Sequence, residues 1–149
     1  MRKISAVLSV VLVVIFIAAS CNKNQKVVRQ LDGEWEVTEV RYNNSVQDLE
    51  DGSYIYTFEK CRVKNEDCSG SYKISDPSKG TFTFPFTYSI QDDGTKIIIN
   101  MSFMGETNTS EGEILEHSKN KFVWATTEEE EDMDGNTMEV KMVTTIEKK

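Results

Sequence analysis

Hydrophobic and polar side chains alternate along most of the chain after residue 30. The clearest run spans residues 81–90, where apolar side chains occupy every second position and threonine, serine and one proline lie between them. A period of two residues is typical of a β-strand with one buried face. Eight segments show this pattern or a weaker form of it: residues 31–42, 54–59, 69–75, 81–90, 95–103, 107–117, 121–127 and 138–147.

Short polar or glycine-containing turns separate most of these segments, and the sequence after residue 20 lacks a clear helical period. The pattern predicts an all-β fold, an eight-stranded antiparallel up-and-down β-barrel, because closure removes the exposed edges of an open sheet. Pro85 has no backbone N–H, which predicts a bulge, an edge or a break in its strand. Gly112 predicts a bulge that lets Ile114 or Leu115 reach the core.

The first 21 residues have the features of an export signal. Arg2 and Lys3 precede an uncharged run at residues 4–19, which is shorter than the roughly 20 residues of a membrane span. The small residues 18–20 before Cys21 resemble the lipobox of bacterial lipoproteins. This resemblance implies a lipoprotein signal peptide at residues 1–20 and lipidation of Cys21, with palmitate among the acyl chains. The alternative is an ordinary secretory signal or a retained anchor.

The first predicted strand begins with Leu31, Gly33 and Trp35. Glycine allows a backbone turn that other residues resist, and a tryptophan two positions later can close one end of a barrel. With the anchor signal, this Gly33-x-Trp35 start resembles the bacterial lipocalin-like domain lipoproteins of the short form. The resemblance implies a lipocalin-like barrel at residues 31–149. The polar, basic residues 21–30 are then expected to form a tether.

Charge limits the partners of the mature chain. Residues 1–20 contain Arg2 and Lys3 and no acid, so their removal changes the formal charge from −8 to −10. Such a surface repels nucleic acid and anionic lipid, which leaves acylated Cys21 as the expected contact with the lipid bilayer. The residues after Cys21 lack the acids of surface-export signals. We therefore expect a cell-envelope protein of a Gram-negative-type bacterium, on the outer membrane and facing the periplasm.

Two cysteines remain once Cys21 carries lipid. Cys61 and Cys68 flank a predicted hairpin, and exported proteins meet an oxidising compartment. Facing residues of an antiparallel pair lie close enough for a disulfide, which the sequence therefore predicts between these two. The alternative is a pair of free thiols.

An eight-stranded barrel is either filled by side chains or holds one small ligand. We therefore expect the protein to bind or carry a small hydrophobic ligand, or alternatively to be a non-enzymatic protein-binding or structural envelope lipoprotein with a filled barrel and an unknown partner. Ordinary core filling is expected of Phe82, Phe84, Phe86, Ile97, Ile99, Val140 and Met142. The candidate ligand-binding residues are Tyr54, Tyr56, Tyr88, Met101, Phe103 and Trp124.

Nothing in the sequence favours an enzyme, a cofactor or a metal site. His117 lies between Glu116 and Ser118, but adjacent strand residues point to opposite faces, so these three do not form a catalytic triad. The acidic run at residues 128–134 matches part of a calcium-loop pattern but lacks its terminal glutamate and flanking helices. A solvated turn is the expected structure there.

Overall fold

The computed structural model describes residues 23–49, 51–62, 67–131 and 136–149. The predicted signal peptide and Cys21 lie outside these residues. One helix, α1 (Lys23–Leu31), and one 3₁₀ turn (Asp92–Gly94) accompany the strands of the described part. The strands are β1 (Gly33–Tyr42), β2 (Ser45–Val46), β3 (Ser53–Phe58), β4 (Cys68–Asp76), β5 (Gly80–Gln91), β6 (Lys96–Phe103), β7 (Glu106–His117), β8 (Lys121–Glu131) and β9 (Thr137–Lys148).

The strands pair antiparallel in sequence order, and β9 pairs back onto β1. Strand β2 adds only two residues to the end of β1, so eight strands form the wall of a closed barrel. The predicted up-and-down barrel is therefore confirmed. One end of the barrel, which we call the closed end, has the start of β1 and the end of β9. The opposite end, which we call the mouth, has the β1–β3 loop and the turns at residues 77–79 and 104–105.

The closed end is covered by α1, which the sequence analysis did not predict. Val27, Val28 and Leu31 occupy one face of this helix and are almost fully buried in the core. Spacings of three and four residues put them on that face. The predicted tether is therefore wrong for residues 23–30, because these apolar side chains gain burial against the barrel.

Polar contacts also join α1 to the closed end. The Gln25 side chain donates a hydrogen bond to the carbonyl of Cys61 at 3.2 Å. His117 Nδ1 donates to Gln30 Oε1 at 2.7 Å, and Lys23 forms an exposed ion pair with Asp93. The three partners lie in the loop after β3, at the end of β7 and in the 3₁₀ turn after β5, so the helix has a defined position on the barrel.

Trp35 is the central side chain of the closed end. It is fully buried, and its indole N–H donates to the carbonyl of Leu31 at 2.5 Å. Lys148 Nζ lies 4.7 Å from the centre of its ring and contacts the carbonyl of Asp32. Gly33 has φ +114°, where a Cβ would lie 2.8 Å from Lys148 Nζ. Gly33 therefore has a backbone conformation that favours glycine, and Trp35 is buried at this end of the barrel.

The predicted disulfide is present between Cys61 and Cys68, whose Cα atoms are 5.6 Å apart. Cys68 is buried in the core and begins β4. The bond therefore ties the loop after β3 to the closed end, next to the Gln25 contact.

Three ladders end before they reach the mouth. Pairing of β5 with β6 stops at Phe86, pairing of β7 with β8 stops at Gly112, and pairing of β1 with β3 stops at Glu36. The strand ends beyond these points pair on one side only within the described residues, except that Arg41 and Tyr42 of β1 pair with both β9 and the short strand β2. The mouth wall is therefore divided by three seams, whereas all eight strands are joined near the closed end.

Pro85 lies at one of these seams. Strand β5 keeps its register with β4 from Gly80 to Tyr88, so the predicted bulge or break is absent and the predicted edge is found instead. Proline cannot donate to a ladder on the β6 side. The rings of Phe84 and Phe103, 5.5 Å apart, meet across this seam.

The predicted bulge in β7 is displaced from Gly112. The register shifts between Ile114 and Glu116, so Ile114 is buried and Leu115 is exposed. Gly112 instead leaves room for an indole ring, because a Cβ there would lie 2.8 Å from Trp124 Cδ1.

No helix in the described part of the chain is long and apolar enough to cross a bilayer.

Candidate functional site

Aromatic side chains fill the closed half of the barrel. Phe58 and Tyr88 meet edge to face at 5.0 Å between ring centres, and Phe86 lies 5.5 Å from Phe58. Tyr56 lies above them and meets Trp124 edge to face at 5.6 Å. Edge-to-face pairs at such distances are favourable. This cluster forms the floor of the space nearer the mouth.

A cavity of about 380 Å³ opens between this floor and the mouth. It lies at the seam between β1 and β3 and is bounded by β4, β9 and the loop after β2. Its residues are Val37, Val40, Tyr42, Gln47, Asp48, Leu49, Tyr54, Tyr56, Tyr72, Met142 and Thr144. The wall is therefore mainly aromatic and aliphatic, with a carboxylate, an amide and hydroxyl groups nearer solvent.

Two of the tyrosines in this wall stack on each other. The rings of Tyr56 and Tyr72 stack at 4.5 Å between centres, as directly facing residues of β3 and β4. Burial, with a smaller contribution from Tyr54, raises the pKa of Tyr72 to about 12. Burial next to Tyr72 also raises the pKa of Tyr56 well above the ordinary range. Both phenols are therefore neutral hydrogen-bonding groups at physiological pH.

The comparisons with known proteins agree with this architecture. A sequence model of the lipocalin-like domain matches residues 31–124. The chain belongs to the lipocalin-like domain family. Barrels of this family typically bind ligands and are not enzymes. No curated protein sequence matches this lipocalin-like chain.

Solved β-barrels resemble the lipocalin-like domain in fold. A redesigned β-barrel has a TM-score of 0.53 and 11% identity, with 83% of this chain and 95% of that chain covered. The structure of EF1p2_mFAP2b bound to DFHBI has a TM-score of 0.52 and 12% identity, with 85% and 99% covered. At such low identities the similarity is one of fold.

The six predicted ligand-binding residues occupy different parts of the lipocalin-like barrel. Tyr54 and Tyr56 line the cavity. Trp124 lies directly below it against Tyr56, and Tyr88 is fully buried in the closed half. Met101 packs against the core, whereas Phe103 is half exposed at the mouth, where it meets Phe84.

The residues predicted as core filling also divide between the two halves. Phe86, Ile97, Ile99 and Val140 are buried, as expected. Phe82 is 49% exposed at the mouth, so the expectation is wrong for it. Met142 lines the cavity and is only partly buried. The difference arises because the wall is complete near the closed end and divided near the mouth.

Sequence reasoning missed several cavity residues. Tyr72 continues the alternation of β4, so its face was available as a signal, whereas Tyr42 reaches the cavity only because a register shift between Val37 and Glu39 reverses the faces of the later β1 residues. Asp48, Gln47 and Leu49 come from the loop after β2, which has no periodicity. Only the return of this loop over the seam brings them to the cavity, through a hydrogen bond from Gln47 N–H to the carbonyl of Val40 at 2.9 Å.

Other side chains that could take part in a reaction have partners outside the cavity. His117 bonds Gln30, Glu116 forms an ion pair with Lys121, and the Ser118 hydroxyl bonds the carbonyl of Lys121. In the described ranges, no group of three or more histidine, cysteine or acidic residues is placed to hold a metal ion. The calcium-loop pattern falls partly on residues 132–135, outside those ranges.

Proposed function

We propose that this lipocalin-like protein binds a small hydrophobic molecule in the mouth cavity and acts as a carrier or sequestering protein without catalysis. The observation that supports this proposal is a cavity of about 380 Å³ above a filled closed half. Ligand sites of roughly 300–1,000 Å³ typically have apolar, aromatic walls with a few polar groups. The volume lies near the lower end of this range, which favours a small guest.

A barrel of similar fold supports the proposal indirectly. The structure of EF1p2_mFAP2b, which shares the fold, is of a complex with DFHBI. A barrel of this size and topology is therefore compatible with a bound guest. The chemistry of a guest depends on the side chains that line the cavity of the present chain.

Trp124 provides a test of cavity binding. Trp35→Phe leaves Trp124 as the single tryptophan, one edge-to-face contact away from the cavity wall. Titration of this variant with the neutral probe N-phenyl-1-naphthylamine is expected to quench tryptophan emission and to enhance the emission of the probe. The reciprocal variant Trp124→Phe retains only Trp35 at the closed end, and its emission is expected to change little.

A cavity-filling variant makes this test specific. Val40→Phe adds bulk inside the cavity and is expected to lower the affinity for the probe about tenfold. This loss corresponds to a steric cost of about 1.4 kcal/mol. Val46→Phe adds the same bulk at an exposed position outside the cavity and serves as the matched control. Equal affinities of the two variants, or no response from Trp124, would contradict the proposal.

We also propose that acylated Cys21 holds the protein on the outer membrane, facing the periplasm. Cys21 lies two positions before Lys23, whose side chain pairs with Asp93 at the closed end. Two extended residues reach only about 7 Å. An anchor at Cys21 would therefore turn the closed end toward the bilayer and the mouth away from it.

Exchange of the signal segment tests this localisation. Replacement of residues 1–21 by an ordinary cleavable secretory signal is expected to move the protein from the membrane fraction to the soluble periplasmic fraction, because several acyl chains bind a bilayer durably and none would remain. Mass spectrometry of the wild-type amino-terminal peptide should detect the added acyl mass. Retention of the variant with the exchanged signal in the membrane fraction, or an unmodified Cys21 peptide from the wild type, would contradict this prediction.

A second candidate function is protein binding through the mouth. Apolar side chains are exposed there, with Met104 90% and Phe103 51% accessible. Clustered exposed apolar residues often mark interaction surfaces. If the cavity accepts no guest in the titration above, this function becomes the better interpretation.

A further inference from the structure

Four of the five tyrosines of the chain line the mouth cavity. They are Tyr42 of β1, Tyr54 and Tyr56 of β3, and Tyr72 of β4. The carboxylate of Asp48 lies on the same wall and is exposed at the rim. The cavity-lining residues of the described chain include no lysine or arginine. Tyrosine rings and one negative charge therefore surround this space.

This combination of groups attracts positive charge. The face of an aromatic ring is electronegative and attracts a cation within about 6 Å of its centre, most strongly where water is excluded. A rounded cavity of about 380 Å³ is roughly 9 Å across, so a cation inside it lies near more than one ring. The raised pKa of Tyr72, about 12, reflects a poorly hydrated wall in which such attraction is weakly screened.

The acidic side chains around the mouth act in the same direction. Strand β8 ends there in four consecutive exposed glutamates, Glu128–Glu131, and the whole chain has a formal charge of −8. Arg41, the arginine nearest to Asp48 in the sequence, is paired with Glu39 at 2.7 Å. A negative potential at the mouth concentrates cations and repels anions such as fatty acids.

We propose that the guest of this cavity is an organic cation, a molecule whose alkylammonium group lies among the tyrosine rings beside Asp48. This inference rests on the proposed function and narrows it to one chemical class. The apolar part of the guest packs on Met142, Val37 and Val40, and the charged group selects against neutral and anionic molecules of the same shape.

A matched pair of probes tests the selection of charge. Choline and 3,3-dimethylbutan-1-ol have the same shape, but only choline carries the quaternary nitrogen. Binding is followed by the emission of Trp124 in the Trp35→Phe protein and by ligand-detected NMR, at constant ionic strength. Choline is expected to bind about tenfold more tightly than the alcohol. Its advantage should shrink as salt is raised, because Asp48 is exposed.

Substitution of one tyrosine separates a ring effect from mere bulk. Tyr54→Phe keeps an aromatic face and should retain at least half of the choline affinity, whereas Tyr54→Leu removes the face and should lower it at least fivefold. The affinity for 3,3-dimethylbutan-1-ol should change less than twofold in both. If Tyr54→Leu fails to fold by circular dichroism, the same comparison at Tyr42, which is 41% exposed, replaces it. Asp48→Asn should weaken choline binding two- to fivefold.

The outcomes distinguish this inference from the proposed function. If the alcohol binds as tightly as choline, the cation inference is overturned and the hydrophobic cavity remains. Equal choline affinities of Tyr54→Phe and Tyr54→Leu overturn it as well. If neither probe binds, the cation inference fails, and N-phenyl-1-naphthylamine decides separately whether the cavity accepts any guest.

Discussion

Trp35→Ala is expected to lower the free energy of unfolding by about 3–5 kcal/mol, the usual cost of removing a large core aromatic side chain. The indole ring is fully buried, bonds the carbonyl of Leu31 and lies beneath Lys148. Its removal leaves a void where β1, β9 and α1 meet and an unpaired carbonyl on the last turn of the helix. Equilibrium urea denaturation followed by circular dichroism measures the loss.

The conservative variant separates packing from hydrogen bonding. Trp35→Phe keeps most of the apolar volume but removes the indole donor, so a smaller loss of about 1–2 kcal/mol is expected. A loss below about 1.5 kcal/mol for Trp35→Ala would mean that the ring does not stabilise the closed end as described. Trp124 remains in both variants, and its fluorescence reports whether the packing below the mouth cavity is intact.

Leu31→Ala should be the next most severe of these substitutions, with an expected loss of about 2–5 kcal/mol. Leu31 is completely buried and ends the helix that covers the closed end. Truncation creates a cavity between α1 and the barrel, and the short helix has little stability of its own to compensate. The measurement is again the free energy of unfolding in urea.

An exposed residue of the same helix is the control for Leu31. Lys26→Ala changes a solvent-facing position of α1 and should alter stability by less than about 0.5 kcal/mol. Leu31→Ala should also leave the mouth cavity unchanged, because α1 lies at the opposite end. Equal losses for the two variants, or a loss of cavity binding in Leu31→Ala alone, would show that α1 does not act as a separate cover.

The barrel could be predicted because each strand alternates apolar and polar residues. Alternation in segments such as residues 81–90 and 95–103 specifies one buried face, and eight such segments close on themselves. Helix α1 could not be predicted in the same way. Its nine residues contain only three buried apolar side chains, and the barrel end that stabilises them is formed by distant strands.

The cavity was predictable only in part for a related reason. Tyr54, Tyr56 and Tyr88 all lie on inward-facing rows, yet the first two line the cavity and the third is sealed in the core. Alternation specifies the face of a side chain but not its depth along the barrel. Depth depends on where pairing stops, and only Pro85 gave a signal of that in the sequence.

Because of the three seams, the barrel wall is less rigid at the mouth than at the closed end. Around the closed end, any outward movement of a strand must break backbone hydrogen bonds on both sides. At the mouth, β6 and β7 can move as one hairpin, and β1 can separate from β3, with only side-chain contacts such as Phe84 on Phe103 to be replaced. Entry and release of the proposed guest can therefore proceed by sideways spreading of the strand ends at the mouth while the closed end stays fully paired.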